Sequence, residues 1–142
     1  MDAAQKAARR SRIMAELTPL RNRVRENISE RNRLVAQLER LESGRNKLSN
    51  CIDNALIIAR NVENCTQRIP DSFFKGGRSS HLSKRLNTAG SSFRAQCDRH
   101  YHNLETLGRR IRTVRDRQEM LDGTIRSQHN RIATLEAELR TL

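Results

Sequence analysis

Pro70-Asp71-Ser72-Phe73-Phe74-Lys75-Gly76-Gly77-Arg78-Ser79-Ser80 interrupts an otherwise regular chain, and its reading decides the fold. The stretch holds one of the two prolines and two of the six glycines of the sequence, a density of breakers found nowhere else in it. Pro70 has no N–H to donate and its ring clashes with the preceding turn, so a helix arriving from the N-terminal side stops there. Ser79 or Ser80 can accept a hydrogen bond from an unpaired N–H of a first helical turn, which lets a second helix begin. Residues 70–80 therefore read as a turn.

Outward from the turn, the apolar residues recur at alternating steps of three and four. From Ile13 the steps reach Leu17, Leu20 and Val24 and continue to Ile69, with 13 of the 17 positions apolar; from Leu86 to Leu142 the count is again 13 of 17. A repeat averaging 3.5 residues, sustained that long, is the pattern of helices that pack along a coiled-coil seam. Each ladder makes a helix of roughly 85 Å at 1.5 Å per residue. A short connection folds the second back on the first, so the expected fold is all-α: a long antiparallel helical hairpin over residues 18–142 with its turn at 70–80. Pro19 sits inside the first ladder; Thr18-Pro19 reads as a helix start, with Thr18 as cap and Pro19 in the first turn. Residues 1–17 then form either a separate short helix or a loosely held basic arm.

Polar residues interrupt both ladders, and four of them match in pairs in one register, in which Arg31 faces Val114 and Gln128 faces Leu17. Facing numbers adding to roughly 145 put Asn27 opposite Gln118 and Arg45 opposite His100, so that polar seam residues meet. The register seven residues on buries each of them against Leu or Ile, and the first is expected for that reason.

Bulk composition agrees with an elongated helical protein and excludes a large globular core. The 142 residues amount to one domain and include only four aromatic residues, Phe73, Phe74, Phe93 and Tyr101. The longest apolar run, Ala55–Ala59, is far short of the roughly 20 residues of a membrane span, and no apolar stretch follows the N-terminus to make a cleaved secretory signal. A cytoplasmic location is expected, any export using a route without a cleaved signal peptide. Cys51, Cys65 and Cys97 are an odd number without metal-type pairing and read as reduced thiols filling small gaps. The net charge of +12 draws attention to nucleic acid. Yet the basic residues are spread over the whole chain and interleaved with Glu26, Glu30, Glu39, Asp98, Asp116 and Glu136, as on a solvated helix face.

A two-helix hairpin buries one stripe of each helix, so apolar residues off the ladders carry information. Ala55-Leu56-Ile57-Ile58-Ala59 is apolar on every side, and a helix of that kind is covered on more than one face. Leu56, Ile57 and Ile58, with Phe73 and Phe74 beside them, are the expected partner-binding residues. The partner is either a second copy, giving a homodimer or four-helix bundle, or a heterologous helical protein.

Cys97-x-x-His100, with His102 and Cys51 near, is the one metal-like grouping. Cys97 and His100 fall on seam positions and His102 points away, so no metal or cofactor is expected. Thin paired helices build no water-excluding cleft, and Gly76-Gly77-Arg78-Ser79-Ser80 lacks the spacing and Lys of a phosphate loop, so an enzyme is not expected.

Two long helices around a turn carrying Phe74-Lys75-Gly76, followed in the second helix by Tyr101-His102-Asn103-Leu104-Glu105, resemble the W-x-G family of helical hairpins. The likeness is to the small helical proteins that accompany LXG toxins of type VII secretion. Phe74 and Gly76 take the place of the W-x-G element, with Phe for Trp, and Tyr101 and Glu105 match the Y-x-x-x-D/E export element. The resemblance implies a chaperone that pairs with the helical N-terminal region of a toxin and presents an export signal. Two other readings stand beside it: an Arg-rich coiled coil associated with nucleic acid, and a self-assembling structural rod.

Overall fold

The computed structural model describes residues 2–68 and 77–142, at Ser79 in backbone only. The expectations placed on Pro70, Phe73, Phe74 and Gly76 lie outside the described residues. Two helices make up the fold, α1 (Ala3–Arg68) and α2 (Gly77–Thr141), packed against each other as an antiparallel hairpin, with no strand among the described residues.

The start of α1 has a local cause that the sequence displays at its second residue. The Gln5 N–H donates to Asp2 Oδ1 at 2.7 Å and the Asp2 N–H donates to Gln5 Oε1 at 3.1 Å, a reciprocal capping box that satisfies two N–H groups. The helix then runs without a break to Arg68, so the expected boundary at residues 17 and 18 does not exist. Thr18 is no cap: its hydroxyl donates back to the Met14 carbonyl at 3.2 Å. Pro19 stands inside the helix, where it forfeits one backbone hydrogen bond at a cost of about 3 kcal/mol. Burial offsets that cost. Ile13 and Leu17, just ahead of the proline, are 5% and 1% exposed, and a buried aliphatic side chain of this size contributes about 1.5–3 kcal/mol. At the other junction α2 already includes Gly77, so Ser79 and Ser80 lie in its first turn instead of preceding it, and the turn is shorter than 70–80.

The chain divides into two compact units, each made of a stretch of both helices. In the unit of Met1–Glu39 and Arg112–Leu142, Ile13, Leu17 and Leu135 form a cluster packed by Leu20, Ile132, Leu139 and Leu142. Val24, Leu34, Leu38, Val114 and Ile125 continue the seam. Its register is not the one that sets Asn27 opposite Gln118. Asn27 Nδ2 donates to Gln128 Oε1 at 3.0 Å, and Arg31 Nη1 reaches Asp122 Oδ1 at 3.5 Å. This is the register seven residues on, in which the aliphatic layers match. Asn27 and Arg31 reach diagonally to a neighbour one turn away and not to the residue directly opposite, although Arg31 Nε itself is buried without a hydrogen-bond partner. Ion pairs close both flanks of this seam, Arg21–Glu136 on one and Glu16–Arg131 with Glu30–Arg117 on the other. All are substantially exposed, so each contributes no more than roughly 1 kcal/mol.

The unit Arg40–Ile111 is built with smaller residues. Ile52, Ala59, Cys97 and Ile111 are its buried apolar side chains, and Gly90 is buried beside Val62. A methyl group on Gly90 would meet Val62 Cγ1 at 3.9 Å and Glu63 Cγ at 3.6 Å, ordinary contact, so the glycine needs no unusual backbone. Three ladder residues, Arg45, Phe93 and His100, stand exposed. Arg45 and His100 are the pair that the other register would have joined.

Among the described residues every buried apolar side chain falls on one of the two ladders, so burial between the helices is concentrated in the seam. Replacing Leu17 by Ala should therefore cost about 2–5 kcal/mol of unfolding free energy in denaturant titration. Pro19→Ala should gain up to about 3 kcal/mol by restoring the missing hydrogen bond. A melt of Pro19→Ala no higher than the parent's would show that α1 does not run through this position.

Candidate interaction surface

Heptad positions sort the surface of the unit Arg40–Ile111. With Ile52, Ala59 and Thr66 as a and Ala55 and Val62 as d in α1, and Gly90, Cys97 and Leu104 as a and Leu86, Phe93 and His100 as d in α2, each helix has flanks at e and g. In an antiparallel pair e flanks e and g flanks g. Glu63 and Arg94, both at e, meet accordingly: Arg94 Nε and Nη2 donate to the two carboxylate oxygens of Glu63 at 2.6 and 2.9 Å. The hydrogen bond from Arg94 is the main cause that holds the Glu63 carboxyl below its usual range, and Glu63 in turn raises the Arg94 guanidinium. This flank is closed by charge.

The g flank has no such closure. α1 places Gly44, Cys51, Ile58 and Cys65 on it, and α2 places Leu82, Ala89, Gln96 and Asn103, a strip of eight uncharged residues that ends at the next g position of α2, Arg110, in a chain where 31% of residues are charged. Ile58 is 46% exposed and Leu82 is 42%, with Phe93 at the adjoining d position 37% exposed. Cys51 and Cys65 are exposed thiols, each seven residues from Ile58, on the same strip. Side chains of this kind, left half in water along one strip, are what a further helix would cover.

The apolar run Leu56-Ile57-Ile58 is thus divided by the fold. Ile58 lies on the g strip, Leu56 is half-buried at the e flank, and Ile57, 54% exposed, is at the outward f position. Phe73 and Phe74 are outside the described residues. Leu82, Cys51, Cys65 and Phe93 belong to the strip although reading contiguous runs passes over them; projecting the ladder by one heptad position picks them out. Tyr101 is 42% exposed, and Glu105, one turn on, is exposed with its carboxylate 3.9 Å from His102 Nδ1. Cys97 is buried while His100 is exposed, and among the described residues no three His, Cys, Asp or Glu side chains gather as a metal site would require. Among the same residues no helix is long and apolar enough to cross a membrane.

Comparison with protein families, with curated proteins and with solved structures gives no match to this chain.

A depressed carboxyl pKa stabilises the fold above the ordinary carboxylate range, and the contribution fades as pH falls through the lowered value. Arg94→Ala should move the Glu63 titration midpoint upward in side-chain carboxyl NMR. An unmoved midpoint would show that the pair is absent in solution.

Proposed function

We propose that this chain is a non-enzymatic interaction module that completes a helical bundle by packing the g strip of residues 40–111 against helices of another protein. The half-exposure of Ile58, Leu82 and Phe93 along a strip free of charge is the observation that supports this reading. Covering such side chains contributes about 25 cal/mol for each Å² of apolar surface removed from water, before the cost of association. The mechanism is burial and shape, with no bond made or broken.

The likeness to W-x-G hairpins makes the reading more specific. The partner is then the helical N-terminal region of an LXG-type toxin, and the chain serves as its targeting chaperone. In that role Tyr101 and Glu105, both exposed on one side of α2, are available to a secretion machine while the strip holds the toxin.

Affinity capture on the tagged full chain from its native cell, after nuclease treatment, tests the proposal. Ile58→Asp should abolish capture of a helical partner while circular dichroism stays unchanged, and Ile57→Asp, on the outward face, should leave it intact. Equal capture by all three proteins would refute the strip as the docking surface. Loss of all bound material on nuclease treatment would assign the basic faces to phosphate instead.

A further inference from the structure

The g strip is bordered on both outer sides by position c of each helix, three residues from g and one turn further from the seam. In α1 these positions are Arg40, Lys47, Asn54, Asn61 and Arg68; in α2 they are Arg78, Arg85, Ser92, Arg99 and Thr106. Six are cationic, four are neutral and none is acidic. The six cations are exposed, and none meets a carboxylate among the described residues. Among the described residues the acids of the unit are elsewhere: Glu42 and Glu63 are at e, and Asp53, Asp98 and Glu105 are at b, on the other side of the helix pair; the sixth acid, Asp71, lies outside the described residues. The unit carries thirteen basic against six acidic residues, and six of the thirteen stand in the two rows along the borders of the strip.

A border of one sign selects what can lie between it. From this arrangement we infer that the strip takes an amphipathic helix whose apolar stripe is flanked by Glu and Asp, a partner protein acidic where this chain is basic. The inference rests on the reading that the strip receives a helix, and adds the charge that helix must carry. A second copy of this chain would set cation rows against cation rows, an arrangement that opposes association. Nucleic acid would satisfy the rows but leave the apolar centre between them covered by nothing, and among the described residues Phe93 is the only aromatic side chain on the strip for a base to stack on. An acidic amphipathic helix satisfies both parts at once, its aliphatic residues on Ile58, Leu82 and Phe93 and its carboxylates over the two rows. Border charges of this kind act mostly on encounter rate and on discrimination between partners, and salt weakens them.

Three synthetic helices of about four heptads test this, with identical Leu and Ile positions and differing only in flanks of Glu, Gln or Lys. Binding to the full chain is read by fluorescence anisotropy at low and high salt. The Glu helix should bind about tenfold tighter than the Gln helix, and the Lys helix weakest, with the differences shrinking as salt rises. Lys47→Glu, Arg85→Glu and Arg99→Glu together should invert the order; the corresponding Gln substitutions, which keep the helix and remove the charge, should level it. Ile58→Asp should weaken all three helices. Equal binding of the Glu and Gln helices, lost in Ile58→Asp, would overturn the acidic-partner inference and leave the docking strip standing. The order Glu over Gln over Lys with no effect of Ile58→Asp would mean bare charge attraction and would overturn both, as would no binding of any helix. Displacement of the Glu helix by a short DNA duplex at equal concentration would give the cation rows to nucleic acid and overturn the inference.

Discussion

Two helices that share one apolar seam have no other way to bury surface, and this constraint governs the protein. Among the described residues all twelve buried apolar side chains are ladder residues, and no polar or charged residue is buried as a whole. Whatever lies off the ladders must be solvated, paired across a flank or covered by something else. In the unit of residues 1–39 and 112–142 the flanks take the second course: Arg21, Arg117 and Arg131 reach across the seam to Glu136, Glu30 and Glu16 and lay their aliphatic stems over it. In the unit of residues 40–111 the e flank does the same through Glu63 and Arg94, and the g flank does not.

The 3.5-residue repeat made the fold class and the identity of the core legible in the sequence, because burial at a seam acts on every layer and leaves a periodic record. Register left a weaker record. Its polar determinants, Asn27 with Gln128 and Arg31 with Asp122, join residues that are diagonal and not opposite, so matching polar residues by level selects the wrong alignment. Pro19 misled for a different reason. Proline disfavours a helix interior locally, and burial of Ile13 and Leu17 on its N-terminal side is a competing contribution of the same size. The Asp2–Gln5 capping box was written in the sequence and marks the true start.

The candidate surface was legible in part. The contiguous run Leu56-Ile57-Ile58 marks the right region, yet a helix disperses contiguous residues over about 200° of its circumference, and only Ile58 reaches the uncharged strip. The remaining strip residues are seven apart in sequence and belong to both helices. Their association becomes visible once the antiparallel pairing puts the two g flanks side by side. The charge pattern behaves likewise: a net charge of +12 spread along the chain looks like solvation, and only sorting by heptad position separates acid-bearing from acid-free sides.

Small residues at the seam link the weakness of one contact to the availability of another. Ala59, Gly90 and Cys97 fill layers of residues 40–111 that Leu or Ile fill elsewhere on the ladders, so each such layer removes less apolar surface from water. Two large aliphatic side chains of this unit, Ile58 and Leu82, sit outside the seam and half in water, where burial by a covering helix would add to what the seam removes. A partner bound there stabilises the helices it lies on by mass action, in proportion to its concentration over its dissociation constant. Stability of this unit and occupancy of its strip are then coupled. The two rows of cations, which meet no carboxylate among the described residues, have the same character: like charges repel one another, and a ligand of opposite sign neutralises them. Ile58, Leu82 and Phe93 lie between the two cation rows, so a single acidic helix laid along the strip would bury the one and neutralise the other.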